Sequence, residues 1–282
     1  MIGCTAIILS GLAYNDKNYL NYGLNLLNKI IKFSFNTEIF PKSRNIKQLI
    51  FYLKYFILIR ELLKESQNDI PEYLNEVIFH LGEAYNLLWQ TTKGNFLFNG
   101  NNESDYKNFD KYLSVHHYKF KSINNETGGY AILKNKSTII AMDVGSAPER
   151  KFSNNYQSGV LSFEMIFSGK KVITNSGYFQ DSKHQLNGIS KSTAAHSTLI
   201  LDNNSICNFK KNSKGPGISS YRCPRLEKTL RQNSKNRRPY VFNRNNLCNK
   251  CTRCQRRRHH IIGRARTFIH DHLIYRFSGD VK

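Results

Sequence analysis

Apolar residues recur at the helical interval through the first third of the chain. Leu20, Leu24, Leu27, Ile30 and Ile31 follow the 3.6-residue period, and Leu49, Leu53, Phe56, Ile57 and Leu63 repeat it. Leu74, Val77, Ile78, Leu81, Tyr85 and Leu88 mark a third helix, opened by Pro71 where a first helical turn tolerates it, with Asp69 as a candidate cap. The pattern from Met1 to about Trp89 is therefore helical, and Gly23 and Gly82 weaken it only slightly. Beyond residue 110 the period changes to two. Residues 118–121, 129–133, 138–143 and 160–167 are short, turn-bounded and rich in β-branched or aromatic side chains, as in an antiparallel sandwich. Leu161, Phe163 and Met165 alternate with Ser162, Glu164 and Ile166, which predicts a strand with one buried face. Gly169 then makes a turn into a partner strand at 171–174. A polar loop follows, gathering Asn175, Tyr178, Gln180, His184, Lys191, Ser192 and His196, and His196 opens a further expected strand to Asp202.

These patterns divide the chain into a helical domain over 1–95, a linker over 96–112 and a strand domain over 113–219, an α+β organisation of two domains. The linker is expected because residues 94–110 are rich in Asn, Gly and acids. Charge adds a fourth segment. The net charge of +22 resolves into +8 over residues 1–219 and +14 over residues 220–282, where Arg replaces Lys and four of the six Cys fall. That tail has neither helical nor strand period. Its composition suggests a reading-frame error or a chimeric end, and it is expected to pack poorly. The moderately basic body fits an acidic ligand, because positive potential raises the local concentration of an anion. A solvated Lys-rich surface is the alternative.

The chemistry-bearing residues fall in two places. Between the first two patterned helices, Ser43, Arg44 and Asn45 sit in a polar loop. A guanidinium there can hold a carboxylate at two points, and Arg44 is one of only three Arg before residue 220. The alternative is a capping loop, with Asn45 or Ser43 binding backbone N–H groups. The second place is the polar loop around Tyr178, Lys191 and His196. Cys248, Cys251 and Cys254 with His259 and His260 have metal-like spacing but no apolar scaffold, and structural zinc sites use two pairs separated by a folded loop. The Arg cluster lacks interleaved aromatics, so no specific nucleic-acid partner is expected. Cys4 and Cys207 need not pair. No apolar run reaches the roughly 18 residues a membrane span needs, and no phosphate-cradling loop or dinucleotide fingerprint stands out.

The order LSFE, NSGYFQ, then a basic residue with STAAHSTL and an Asp-Asn turn resembles the β-sandwich of the heparinase II/III-like polysaccharide lyases. Asp143 and Gly145 match that family's DxG element. The resemblance covers about residues 8–215 and implies part of an α/α toroid followed by an antiparallel β-sandwich, as in the carboxyl-terminal part of such a protein. It further implies β-elimination on a uronate-containing acidic polysaccharide, without a redox cofactor, in the bacterial periplasm or cell envelope. By the same resemblance His196, Asn45 and Tyr178 are the candidate catalytic residues, and Arg44, Ser43, Gln157 and Lys191 the candidate substrate contacts. Gln157 and Asn175 stand where zinc-binding members carry His and Asp, so His196 alone would not hold a metal and no zinc is expected. The same two departures favour a rival, a carbohydrate-binding or scaffold protein that kept the fold and lost the chemistry. The family's catalytic Tyr of the toroid has no clear counterpart.

Overall fold

The structure is a computed structural model describing residues 1–93, 96–100, 106–200, 204–212 and 215–221. Beyond Tyr221 the expected tail, including its Cys and His cluster, lies outside the described residues. The chain forms two compact units, Met1–Tyr130 and Ala131–Lys282. The division therefore falls later than the domain boundary expected before residue 113.

In the first unit, helices α1 (Ile2–Ala13), α2 (Lys17–Ser34), α3 (Lys47–Glu65) and α4 (Glu72–Tyr85) follow in order, and a wider turn over Asn86–Gln90 extends α4. Asp16 caps α2, its carboxylate accepting from the N–H groups of Asn18 and Tyr19. Pro71 is itself the residue before α4, so the cap expected from Asp69 is not used. The periodic residues do what their spacing requires. Leu49, Leu53, Phe56, Ile57 and Leu63 of α3 are buried, as are Leu74, Val77, Ile78, Leu81 and Tyr85 of α4.

Two glycines that look like blemishes in the helical pattern are close-approach points. A Cβ on Gly23 would lie 2.6 Å from Ile8 Cγ1 of α1, and one on Gly82 would lie 2.1 Å from the Phe120 ring. The expected strand at 118–121 is accordingly absent. This segment spends its side chains on helices instead. Phe120 fills the space over Gly82, and the Tyr118 hydroxyl donates to Glu61 Oε1 at 2.7 Å. Arg60 Nη1 donates both to that carboxylate at 2.8 Å and to the Tyr118 oxygen at 3.0 Å. The expected linker also contains a helix, α5 (Tyr106–Val115), which buries Phe109 and Leu113 and sets Phe109 edge-on to Tyr85.

The sheet has the order β1-β2-β3-β4-β5, from strands Glu126–Thr127, Tyr130–Lys134, Thr138–Asp143, Phe163–Phe167 and Lys170–Ile173. β3 and β4 pair antiparallel with Ile140 opposite Met165, and β4 returns into β5 through Ser168 and Gly169, both at positive φ. The expected one-sided alternation of β4 is not observed: Glu164, Met165 and Ile166 are all buried, and the ladder is bulged at Met165/Ile166. Helix α6 (Gln185–Lys191) lies within the expected loop. A two-stranded antiparallel pair, β6 (Cys207–Asn212) and β7 (Gly215–Tyr221), follows. Residues 197–200, expected as a strand, form none. Phe163 N donates to Ser197 O at 3.3 Å, but Ser197 N donates to the Asn175 side chain at 3.0 Å and the Phe163 carbonyl accepts from Ser197 Oγ, so the return bond of the ladder is replaced by side-chain bonds.

Two tests follow from the helical unit. Gly82→Ala should destabilise the protein by roughly 1–3 kcal/mol through overpacking, seen as a lower thermal midpoint, and Phe120→Ala in the same chain should recover part of that loss. The second concerns acid. Burial pushes the Glu61 carboxyl up, but the hydrogen bonds from Tyr118 and Arg60 outweigh it and hold the group below its ordinary value of 4.5. A depressed folded value means the stabilisation is present above the unfolded pKa and lost as pH falls through the folded one. Glu61→Gln should therefore flatten the fall in stability below about pH 4.5, measured by denaturant titration across acid pH.

Candidate functional site

The loop carrying Ser43, Arg44 and Asn45 is built by local hydrogen bonds. Asn36 Oδ1 accepts from the N–H groups of Glu38 and Phe40, Phe35 and Pro41 form an isolated antiparallel bridge, and Arg44 N donates to Pro41 O at 2.8 Å. Arg44 adopts a positive φ of 56°, and its side chain turns into the unit. Its Nε donates to Gly128 O at 3.0 Å and Nη2 to Gly129 O at 3.0 Å, while the guanidinium sits 4.6 Å from the Tyr130 ring centre. Tyr130 Oη in turn donates to Arg44 O at 2.7 Å. Gly128 and Gly129 both have positive φ, and a Cβ on Gly128 would lie 2.3 Å from the Phe40 ring. Expected as a substrate contact, Arg44 is placed as a buried clamp on a turn.

Ser43 and Asn45 show the capping behaviour weighed against the functional one. Ser43 Oγ donates to the Gln48 side chain and accepts from Asn45 N, and Asn45 Oδ1 accepts from Lys47 N at 2.9 Å, opening α3. Only the oxygen end of the Asn45 amide is used. Among the described residues its Nδ2 donates no hydrogen bond, although the residue is only 5% exposed. An amide donor is thus held in a fixed orientation, beside the N–H groups of a helix start that favour negative charge.

In the second unit the polar residues converge on the segments 144–162 and 174–200. Gln157 is fully buried, and its Nε2 donates to Gly177 O at 2.8 Å and Ser190 O at 2.7 Å. Lys191 is 3% exposed. Its Nζ donates to Asn154 O at 2.7 Å and lies 5.6 Å from the Tyr178 ring and 5.7 Å from that of Phe209. Burial lowers its pKa. Tyr178 Oη donates to Asn155 Oδ1 at 3.2 Å. The structure thus gathers Gln157, Tyr178 and Lys191 around the 154–157 turn, where the geometry gives Gln157 and Lys191 the task of holding backbone.

His196 closes the short turn Thr193–Ala195, its N–H donating to Thr193 O at 3.2 Å, and is 8% exposed. Its ring packs on Gly159, where a Cβ would fall 3.1 Å from the imidazole Cγ. Beside it stands a network the sequence did not reveal. Glu164, 1% exposed, accepts from Asn175 Nδ2 at 2.9 Å and from Thr174 Oγ1 at 3.3 Å, and Asn175 Oδ1 accepts from Ser197 N and Oγ. Glu164 reads as a solvent-facing position in an alternating strand, so its only warning was the carboxylate between apolar neighbours. Both ends of the Asn175 amide are committed, and the Gln157 amide nitrogen is spent on two carbonyls. With His196 they do not make a zinc donor set. Among the described residues no group of three His, Cys, Asp or Glu is placed to hold a metal ion, and no helix is long and apolar enough to cross a membrane.

Both the sequence and the fold have counterparts among known proteins. The sequence profile of the heparinase II/III-like C-terminal family matches residues 120–274. The chain belongs to the heparinase II/III-like family. The match runs on past residue 215, where the resemblance was expected to stop. The crystal structure of a heparan sulfate lyase from Pedobacter heparinus superposes with a TM-score of 0.60 at 16% identity, over 74% of this chain and 39% of that one. A mutant heparan sulfate lyase from the same organism gives 0.62 at 14%, over 74% and 39%. Heparinase III gives 0.57 at 16%, over 75% and 40%. At these identities the likeness is one of fold, and the chain spans less than half the length of these structures. No curated protein matches the chain.

The clamp makes a prediction of its own. Arg44→Lys keeps the charge but cannot reproduce the fork that serves two carbonyls. It should cost roughly 2 kcal/mol or more, because a buried carbonyl is left unsatisfied, and the loss should appear in thermal unfolding without any ligand present.

Proposed function

We propose that this protein acts in β-elimination on a uronate-containing acidic polysaccharide, as part of a lyase built on an α/α toroid and an antiparallel β-sandwich. Family membership over residues 120–274 is the observation that carries the reading. The reaction needs three things: neutralisation of the uronate carboxylate, removal of the C5 proton, and a proton for O4 as the C4–O4 bond breaks. The product carries a C4=C5 double bond at its new non-reducing end. We assign carboxylate neutralisation to Asn45, whose amide nitrogen is preoriented by its cap. His196 and Tyr178 are assigned to proton transfer, their imidazole and phenol being groups suited to it. Ser43 and Arg44 act through Asn45 by fixing its loop. Gln157 and Lys191 act by fixing the segments around Tyr178 and His196. The scheme requires no metal, and the location proposed with it is the periplasm or cell envelope.

A second reading is favoured by one observation. Gln157 and Asn175 are neutral amides committed to internal bonds, so they supply no acid, base or metal ligand, which suits a carbohydrate-binding protein that retains the fold without turnover.

Incubation with uronate polymers separates the two. The lyase releases unsaturated ends that absorb in the ultraviolet, and the binding protein gives a saturable binding curve with a flat absorbance trace. Asn45→Asp retains the oxygen that caps α3 but replaces the donor with a second carboxylate oxygen. It should lower turnover by about a hundredfold or more, roughly 3 kcal/mol, with little change in thermal midpoint. His196→Ala should lower turnover comparably.

A further inference from the structure

The face of α2 that carries Tyr22, Asn25, Leu26, Asn28, Lys29 and Lys32 forms a depression of about 350 Å³. Tyr22, Asn25, Leu26 and Lys29 are three, four and seven residues apart and share one face of the helix. Tyr22 is 62% exposed. Among the described residues, none of these tyrosine, asparagine and lysine side chains makes a hydrogen bond or an ion pair within the protein. They are therefore available together to a ligand.

Their chemistry specifies which ligand. α2 carries Lys17, Lys29 and Lys32 and no acidic residue. Its capping carboxylate, Asp16, lies 13 residues before Lys29, about 20 Å along the helix and beyond the roughly 8–10 Å over which salt leaves charges coupled. Lys42 adds a third cation at the same end, its Nζ donating to the carbonyls of Lys32 and Phe33. A flat ring, two amides and neighbouring ammonium groups match a short oligosaccharide. The Tyr22 face takes a sugar's C–H face, Asn25 and Asn28 take hydroxyls, and Lys29 and Lys32 take carboxylate or sulfate. Tyr22 is the one ring lining the depression, which therefore gives a nucleic-acid strand no run of aromatic platforms.

We propose that this face of α2 binds an acidic oligosaccharide, giving the polymer a contact that carries no chemistry. The choice of ligand rests on the function proposed above; the site itself rests on α2. The test uses the whole chain, a size-defined uronate oligosaccharide, its carboxyl-reduced neutral counterpart and single-stranded DNA of equal charge. Binding is measured by calorimetry at several salt concentrations, and release of unsaturated ends is followed in parallel. Lys29→Gln with Lys32→Gln should weaken the acidic oligosaccharide by about tenfold or more and flatten the salt dependence, leaving the neutral form unchanged. Tyr22→Ala should weaken both forms, and Lys17→Gln neither. Wild-type affinity in the Tyr22 and double-lysine variants would overturn the site, as would the absence of wild-type binding or tighter binding of the DNA. Product release with unaltered binding in these variants sinks the α2 site alone. Weakened binding in them with no product from any form sinks the lyase alone.

Discussion

Buried backbone away from helices and strands must still find hydrogen-bond partners, and this requirement organises the unit that holds His196. Parts of its segments 144–162 and 174–200 are buried with few ladder bonds, so side chains supply the missing donors. The Gln157 amide serves Gly177 O and Ser190 O, Lys191 serves Asn154 O, Thr193 Oγ1 serves Ser158 O, and Thr198 Oγ1 serves Val160 O. Each is a single polar group standing where a strand neighbour would otherwise be. An unsatisfied buried carbonyl costs about 1–3 kcal/mol, comparable to burying a large apolar side chain. Fixing this segment therefore depends on its polar residues as much as on the small apolar cluster of Tyr156, Val160, Leu161 and Cys207. Burial of that cluster also pushes the Cys207 thiol up to about 12, which leaves it a packing group rather than a nucleophile.

The same requirement decides what the sequence could show. α2, α3, α4 and β3 were legible because each buries a repeating apolar face, and the β4–β5 turn because Gly169 marks it. α1 was not resolved as a separate element: its residues are apolar almost throughout, so no period stands out. α5 was hidden because Phe109 and Leu113, which dock it, are surrounded by Asn, Lys and Asp. The strand expected after His196 failed for a reason invisible in linear order, namely that Asn175 and Ser197 divert the groups of the ladder's return bond. Period detects faces; it does not detect which side chain will capture a backbone group from twenty residues away.

Legibility of the site followed the same line. Residue types were readable and residue tasks were not. Arg44, Gln157 and Lys191 all have the chemistry to hold an acidic sugar, and all three are turned inward onto carbonyls. For Arg44 the deciding feature is the Gly128–Gly129 pair, whose positive φ values present two carbonyls to one guanidinium. That pairing spans more than eighty residues and leaves no local signature. Such a residue holds the fold in place, so its substitution is read first in stability.

Asn45 is where a structural demand and the proposed chemistry meet in one side chain. Its oxygen is consumed by the start of α3, which fixes the amide plane and leaves the nitrogen to point away from the cap. Capping is thus what orients the donor: a side chain bound to the helix start has already lost the rotamer freedom that a free asparagine would lose on meeting a ligand. The positive φ at Arg44 sets where that cap begins, and Ser43 accepts from Asn45 N to hold the backbone there. Geometry of this kind follows from the fold's own need to satisfy a helix end, so a donor in a fixed direction costs the protein little beyond a cap it needs in any case.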